Sequence, residues 1–209
     1  MLMAVYNTDF KLVKRAINSV LNQSFQDFEL IIIDDGSHNN TQDMILDLVK
    51  QHEEKITYIW HKNRGQSKSI NRGILNCTGE YITILDADDE YQPNHLWSCL
   101  QEMKYADLIA STTLTIVDKE DDYYVPDKHD HNVLIHIDDC VLFATLFGKN
   151  EVFRNIKFQE KYAADAQFYE TASQYYTVKK VDLRTYTYYR NIPTSICATM
   201  KKQAQLVLN

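Results

Sequence analysis

The sequence predicts an α/β fold in which an open, mostly parallel sheet is flanked by helices and continues into a smaller second lobe. Short apolar runs alternate four times with stretches whose apolar residues recur at helical spacing, which is the pattern of such a sheet. The unbroken apolar run Leu30–Ile33 is typical of a strand buried on both faces. We expect a single domain over residues 1–209, with halves at 1–105 and 106–209, because no linker or repeat interrupts the chain.

The first half contains four predicted strands, each followed by a predicted helix. The strands are Leu2–Val5, Leu30–Ile33, Ile56–Trp60 and Tyr81–Leu85. The helices are indicated by apolar residues three or four positions apart, by capping residues and by a proline in a first turn. These residues are Phe10, Val13, Ile17, Val20 and Leu21, after a cap at Thr8 or Asp9; Met44, Ile45, Leu48 and Val49; Ile70, Ile74 and Leu75; and Leu96, Trp97, Leu100 and Met103, after Pro93.

The second half is richer in strands and less regular. Leu108–Val117 is a long strand-forming run, and residues 177–190 alternate as a strand does. Between them, residues 118–132 are polar and predict a mobile loop, while residues 201–209 predict a loose helix. We expect this half to form the smaller lobe.

Composition and charge exclude several classes of protein. The net charge is −7 and there is no long basic run, which argues against an extended surface for nucleic acid. The four cysteines are scattered, nothing at the start resembles a signal peptide, and no apolar stretch is long enough to cross a bilayer. We therefore expect a cytoplasmic protein, which would lie at the inner face of the membrane if it associates peripherally with membrane enzymes.

Two predicted strands end in acidic clusters, Asp34 with Asp35 and Asp86 with Asp88. In an open α/β sheet, ligands bind beyond the carboxyl ends of the strands. Paired carboxylates hold Mg²⁺ or Mn²⁺ when substrate phosphates and water complete the shell. The alternative is that both clusters are solvated turn residues, but two clusters on the same edge favour a ligand site.

Four motifs of the first half resemble those of a known family in order and spacing. "MAVYNT", "IIIDDGS", "NRGQSKSINRGI" and "YITILDADDEYQPNHL" are similar to motifs of family 2 glycosyltransferases with the A-type (GT-A) fold, whose nucleotide-binding half is Rossmann-like. Those enzymes are inverting and use nucleotide-diphosphate sugars. The resemblance extends more faintly to "KFQEKYAADAQFYETA" and "YYRNIPTSI". It implies a nucleotide-sugar-binding half over residues 1–105 and an acceptor-binding half over residues 106–209.

The resemblance also implies roles for individual residues. Asp34 or Asp35 would read the nucleobase, with UDP as the favoured nucleotide. Asp86 would lie toward the ribose and the metal, Asp88 would bind the metal (Mn²⁺ or Mg²⁺), and Asp165 would be the catalytic base. Further contacts to the nucleobase and the diphosphate would come from Ala4, Val5, Tyr6, Tyr189 and Arg190.

Four positions depart from the family pattern, with Ile70 in place of an Arg, Ala164 in place of a Glu, Ile192 in place of a His and, as a mild change, Ala4 in place of a Pro. The first of them lies beside Asn71, a predicted nucleotide contact. Lys68 or Arg72 is expected to supply the lost positive charge toward the diphosphate. These departures leave open a non-catalytic or degenerate homologue.

The expected reaction needs a general base that takes the proton of the acceptor hydroxyl. A carboxylate facing the anomeric carbon serves this role, and direct displacement with a single base inverts the anomeric centre. Asp165 is our candidate, although local sequence alone describes it equally well as an ordinary helix N-cap. Glu160 and Asp139 are the alternatives, since both lie in the expected acceptor half.

The histidines His129, His131 and His136 stand close together in "HDHNVLIH". Together with Asp130 they could bind zinc, but they lack the helical i, i+4 pair of a zinc motif. We interpret the segment as a polar loop near the acceptor entrance.

These observations predict a metal-dependent, inverting glycosyltransferase of the hexosyltransferase type. We expect it to transfer a sugar from a nucleotide-diphosphate donor to a glycan or a lipid-linked acceptor in surface polysaccharide biosynthesis. A nucleotidyltransferase is the second interpretation, but it normally carries a Gly-rich, basic loop after the first strand. That place holds "YNTDFKLV". A non-catalytic nucleotide-sugar-binding homologue is the third.

Overall fold

The computed structural model describes residues 1–130 and 132–192. The described strands are β1 (Leu2–Val5), β2 (Leu30–Asp34), β3 (Ile56–Trp60), β4 (Tyr81–Thr83), β5 (Glu90–Tyr91), β6 (Leu108–Ile116), β7 (Tyr124–Pro126), β8 (Leu134–His136), β9 (Leu146–Lys149) and β10 (Val178–Tyr189). The α-helices are α1 (Phe10–Leu21), α2 (Thr41–Gln51), α3 (Gln66–Asn76), α4 (His95–Glu102), α5 (Asn150–Asn155) and α6 (Ala164–Ser173). Short 3₁₀ helices lie at Glu120–Tyr123, Ile137–Asp139 and Phe143–Thr145.

The strands form one parallel sheet that continues into a mixed one. β2 lies between β1 and β3, and both pairings are parallel. A parallel bridge between Leu2 and Ile84 connects β1 to the β4 region, and five strands follow in the order β4–β9–β6–β10–β5. β9 is antiparallel to both of its neighbours, whereas β6 and β10 are parallel. The predicted α/β class is confirmed; the antiparallel pairings of the mixed sheet involve β5 and β9, and β7 and β8 form a separate antiparallel pair.

Helices cover both faces of the sheet. Alternate residues of β2 are therefore buried on opposite faces, which explains why its sequence is apolar throughout. Ile32 packs into one apolar cluster with residues of α1, α2 and α4. Ile31 and Ile33 pack into the opposite cluster with residues of α3, α5 and α6. α3 lies very close to the strands, because a side chain at Gly73 would approach Leu2 to 2.7 Å.

The boundaries agree with the sequence to within a few residues. Asp9, rather than Thr8, caps α1, because its side chain accepts a hydrogen bond from the backbone N–H of Lys11 at 2.8 Å. β4 stops at Thr83 instead of Leu85, since only an isolated bridge at Ile84 follows it. The fourth helix starts at His95, two residues after Pro93.

The loop prediction for residues 118–132 is wrong over Glu120–Pro126. This segment forms a 3₁₀ helix followed by β7, which pairs with β8. The rings of Tyr123 and Tyr124 pack on His136 with centroid distances of 5.6 and 5.4 Å. The local sequence is polar, so the strand depends on a partner about ten positions later.

Two further predictions concern the C-terminal residues and the question of membrane-spanning helices. The predicted helix over residues 201–209 lies outside the described residues. Within the described ranges, no helix combines the length and the apolar character needed to cross a bilayer.

Candidate active site

Three carboxylates from the two halves of the chain converge at the carboxyl edge of the sheet. Asp86 and Asp88 follow β4, and Asp165 lies in the first turn of α6. Burial, and then the negative charges of Asp88 and Asp165, raise the pKa of Asp86 to about 7, against a hydrogen bond from the Gln66 amide. That amide nitrogen lies 2.7 Å from Asp86 Oδ1. The two predicted metal ligands and the predicted base therefore share one electrostatic environment.

Asp165 is held at the site by the start of α6. Burial raises its pKa to about 6, although the backbone N–H of Ala166 donates to Oδ1 at 2.8 Å and the charge of Lys128 opposes the shift. Phe168, one turn further along the helix, is fully buried. The cap position is taken by Ala163 in a left-handed conformation, so the alternative in which Asp165 is the N-cap is wrong.

Asp88 keeps its carboxylate free of a direct ion pair among the described residues. Burial raises its pKa, while the charge of Arg15 lowers it. The Arg15 guanidinium donates to the main-chain oxygen of Asp88 instead of its carboxylate. It also lies over the Tyr189 ring, 3.8 Å from the centroid. Arg15 therefore connects α1, the turn that carries Asp88 and the end of β10.

Asp89 connects the same turn to β10. It is buried, and it accepts hydrogen bonds from the Tyr186 hydroxyl and from the backbone N–H of Tyr189, the latter at 2.7 Å. Burial and the charges of Asp86 and Asp88 raise the pKa of Asp89 well above its usual range. The Tyr189 hydroxyl donates to Glu90 at 2.5 Å. These bonds fix the backbone that precedes Arg190.

Arg190 lies partly buried with unused hydrogen-bond donors. Its backbone N–H donates to Ile116 at 2.9 Å. Its Nε and Nη1 atoms are buried and have no hydrogen-bond partner among the described residues. Burial raises the pKa of the Cys140 thiol to about 11, and the charges of Asp165 and Arg190 act on it in opposite directions, so both groups lie near Cys140. A desolvated guanidinium with free donors suits phosphate oxygens.

Asp34 and Asp35 are buried and already accept hydrogen bonds from the protein. Asp34 accepts from the backbone N–H of Ser37 at 2.7 Å and from the Tyr58 hydroxyl at 2.5 Å. Asp35 accepts from the backbone N–H groups of Arg64 and Gly65 at 2.7 and 2.9 Å. The structure thus shows both carboxylates bracing the loops beyond β2 and β3, and their contact with a nucleobase stays a prediction.

The end of β1 offers an aromatic surface beside those loops. Ala4 is partly buried against the apolar cluster around α3, and Val5 accepts a hydrogen bond from the backbone of Asp35 at 2.8 Å. Tyr6 is 49% exposed, and its ring meets the His38 ring edge-on at 6.1 Å between centroids. This exposed aromatic edge is where the resemblance places the nucleobase.

The predicted contacts on α3 are not joined to the three carboxylates by any hydrogen bond or ion pair within the described residues. Asn71 donates to the backbone oxygen of Phe158 at 2.7 Å and accepts from its N–H at 3.0 Å. Lys68 forms an ion pair with Glu160 at 2.6 Å. Ile70 is fully buried in the apolar cluster, so its side chain does not face the site.

The alternative bases and the histidines have other surroundings. Asp139 is exposed, and Glu160 is paired with Lys68. His136 packs between two tyrosine rings, His129 lies 3.9 Å from Glu170, and His131 is outside the described residues.

Asp86 and Asp88 fit a hard divalent cation only as part of a larger ligand set. Among residues 1–130 and 132–192, no group of three His, Cys, Asp or Glu side chains is placed to hold a metal ion. Two partly buried carboxylates with raised pKa values gain from a nearby cation, and Mg²⁺ and Mn²⁺ commonly take further oxygens from phosphates and water. The donor set therefore fits a metal that arrives with a diphosphate.

Sequence reasoning did not identify Arg15, Gln66 or Asp89 as part of the site. Gln66 and Asp89 lie inside the quoted motifs, so the motifs themselves carried a signal for them. Arg15 is one of several polar residues on an amphipathic helix, and its contact with Asp88 spans 73 positions. Only the packing of α1 against the turn after β4 reveals it.

Comparison with known proteins identifies the family to which the chain belongs. The family model for glycosyl transferase family 2 matches residues 1–175, so the chain belongs to that family. A glycosyltransferase of Nostoc sp. is 39% identical over 110 residues, which are 52% of this chain and 34% of that protein. A Campylobacter jejuni protein named GalNAc(5)-diNAcBac-PP-undecaprenol beta-1,3-glucosyltransferase is 34% identical over 93 residues, which are 44% of this chain and 30% of that protein.

Solved structures show the same GT-A fold. A mannosyltransferase from Pyrobaculum calidifontis, in complex with GDP-Man and Mn²⁺, superposes with a TM-score of 0.73 at 16% identity, over 99% of this chain and 61% of that one. S. aureus TarS in complex with UDP-GlcNAc gives a TM-score of 0.69 at 18% identity, over 91% of this chain and 58% of that one. The chain spans 34% to 56% of the length of the first curated relatives that it matches.

Proposed function

We propose that this chain is the donor-binding and catalytic domain of a metal-dependent, inverting glycosyltransferase. The observation that carries the proposal is the convergence of Asp86, Asp88 and Asp165, whose pKa values are all raised. Carboxylates that remain ionisable, poorly paired and close together are expected where a cation and a general base are needed.

Each end of the donor has residues that suit it. The aromatic edge at Tyr6 and the braced loops at Asp34 and Asp35 would receive the nucleobase, with UDP favoured by the resemblance. Arg190 would donate its unused N–H groups to the diphosphate. Asp86 and Asp88 would hold Mn²⁺ or Mg²⁺ together with phosphate oxygens, and such a cation supplies charge stabilisation to a leaving diphosphate.

Asp165 would accept the proton of the acceptor hydroxyl. Its pKa of about 6 lies close to neutral pH, where a base combines ionisation with useful basicity. Attack from the Asp165 side, opposite the leaving diphosphate, would invert the anomeric centre. The acceptor is a glycan or a lipid-linked sugar. The lipid-linked choice is supported by the name of the Campylobacter jejuni relative, a GalNAc(5)-diNAcBac-PP-undecaprenol beta-1,3-glucosyltransferase.

The test is calorimetric titration of UDP, GDP and dTDP, each with Mn²⁺ and with EDTA, on the wild type and on Asp88→Ala. We expect one nucleotide to bind only with Mn²⁺, and the mutant to lose that binding. Asp121→Ala, which changes an acidic residue of the 3₁₀ helix Glu120–Tyr123, is the matched control and should bind normally. Binding that needs neither Mn²⁺ nor Asp88 would contradict the proposed metal site. Binding without turnover of any sugar donor would favour the non-catalytic alternative.

A further inference from the structure

A cavity of about 400 Å³ is lined mainly by residues of α3 and α5, together with residues that flank the two helices. Half of its ten lining residues are basic and none is acidic: Arg64, Lys68, Arg72, Arg154 and Lys157. Asp86, Asp88, Asp165 and Arg190 do not line it. We call it the α3–α5 cavity. Its volume falls in the range of small-ligand sites.

The concentration of positive charge is unusual for this protein, whose net charge is −7. Lys68 and Arg72 stand four positions apart on α3, and like charges at that spacing repel each other. Arg154, near the end of α5, and Lys157, just after it, add two more cations. Repulsion of this kind is relieved when an anion binds between the charges.

Most of these cations are not neutralised by the protein. Lys68 is paired with Glu160 at 2.6 Å. Arg154 donates to the Asn150 side chain and to the Cys77 main chain, at 2.7 and 2.9 Å, and these acceptors carry no charge. The side chains of Arg64, Arg72 and Lys157 are on exposed residues and form no hydrogen bond or ion pair within the described residues.

The cavity also has an apolar part. Ile74 and Phe153 are buried in its wall, and Leu75 is 67% exposed at its edge. A ring of cations around an apolar wall matches a ligand with a phosphate group next to an apolar or neutral portion. Guanidinium groups in particular bind phosphate oxygens in pairs.

We propose that the α3–α5 cavity is a second, metal-independent binding site for a phosphate-bearing ligand. The chemistry is shared by the headgroup of an anionic phospholipid and by a free phosphate or diphosphate. Binding here needs neither Asp86 nor Asp88, so it is separate from the donor site of the proposed function.

The experiment uses two probes in EDTA, so that the metal-dependent site is silent. Inorganic pyrophosphate is titrated calorimetrically, and co-sedimentation is measured with phosphatidylcholine vesicles that do or do not contain phosphatidylglycerol. The variant is Arg154→Glu with Lys157→Glu, which changes two cations of the cavity that have no expected role at the donor site. The control is Lys14→Glu with Lys104→Glu, which makes the same charge change on and near the helices of the opposite face.

We expect the wild type and the control to bind at least one probe, and the cavity variant to bind it at least tenfold more weakly. Binding should weaken as salt is raised, because exposed charges are screened. Pyrophosphate binding alone identifies a free phosphate ligand, and binding to anionic vesicles alone identifies a lipid headgroup. In the second case Leu75→Ser should weaken vesicle binding further.

Failure of both probes to bind overturns the proposal, and so does equal binding by the cavity variant. Titration of UDP with Mn²⁺ on the same three proteins separates this result from the donor site. The affinity for UDP with Mn²⁺ is expected to change by less than about threefold in the cavity variant.

Discussion

The two acidic turns at the carboxyl edge look alike in sequence and differ in the structure. Asp34 and Asp35 follow β2, are buried, and accept hydrogen bonds from five groups of the protein, three of them backbone N–H groups. Asp86 and Asp88 follow β4, and their pKa values are raised because burial is not matched by donors or cations. The first turn uses its carboxylates to brace loops, and the second keeps them available.

The difference lies in the partners that the fold brings to each turn. Loops beyond β2 and β3 supply N–H donors to the first turn, whereas α6 adds a third carboxylate, Asp165, to the second. An arrangement that costs stability in the absence of a ligand is expected at a functional site. Four predictions test this contrast.

The largest effect is expected at the third carboxylate. Asp165→Asn should lower the rate of sugar transfer by about 10²- to 10⁴-fold, because a positioned general base contributes about that much. Nucleotide affinity should change little, since the amide is isosteric. The measurement is release of the nucleotide from its sugar donor, alongside titration of the nucleotide. Asp139→Asn serves as the control, and an equal loss in that exposed position would argue against a special role for Asp165.

A matched pair of substitutions compares the two turns in stability. Asp35→Asn should lower the free energy of unfolding by about 3 kcal/mol. The amide NH₂ group replaces one carboxylate oxygen, so it faces buried N–H donors that no longer have an acceptor. Asp88→Asn should leave the free energy of unfolding unchanged or raise it slightly, because it removes a poorly compensated charge. Urea unfolding in EDTA measures both. Similar losses in the two variants would mean that the turns do not differ.

The pH dependence of stability should come from the second turn. The folded pKa of Asp86, about 7, lies above its ordinary value of 3.8. An acid with a raised folded pKa binds its proton more tightly in the folded protein, so stability falls as pH rises from about 4 through 7. Between pH 5 and pH 8 the loss expected from Asp86 alone is about 3 kcal/mol in EDTA.

Urea unfolding across that pH range gives the measurement. Asp86→Asn should make the profile shallower, with a remaining slope from carboxyls such as Asp165, whose folded pKa of about 6 is also raised. Excess Mn²⁺ with nucleotide should oppose the loss. A wild-type profile that is flat, or that rises with pH, would show that Asp86 is not destabilised in the folded protein.

The smallest effect is expected at a single brace of the first turn. Tyr58→Phe removes the hydroxyl that donates to Asp34 at 2.5 Å, which should lower the free energy of unfolding by about 1.5 kcal/mol. Tyr175→Phe, at a side chain that is 73% exposed, should have no measurable effect. Equal stability of the two variants would show that the hydrogen bond from the Tyr58 hydroxyl to Asp34 contributes nothing to the free energy of unfolding.

Much of the first half could be predicted from its sequence because its signals are local. Apolar runs and helical spacing placed all three strands β1, β2 and β3 to within one residue. The second half was harder, since β7 is a strand only because β8 pairs with it. Neither segment carries a strong pattern by itself.

The site, like the fold, has features that the sequence predicts and features that only the tertiary structure decides. The sequence by itself determined that carboxylates end β2 and β4, and that motifs of family 2 glycosyltransferases surround them. Tertiary structure alone decided which of these carboxylates stay available, because their donors and neighbouring charges come from residues far along the chain. Asp35 is satisfied by the backbone at Arg64 and Gly65, while Asp86 meets the charge of Asp165 across 79 positions. Sequence periodicity encodes local structure, whereas the pairing of buried polar groups depends on how distant elements pack.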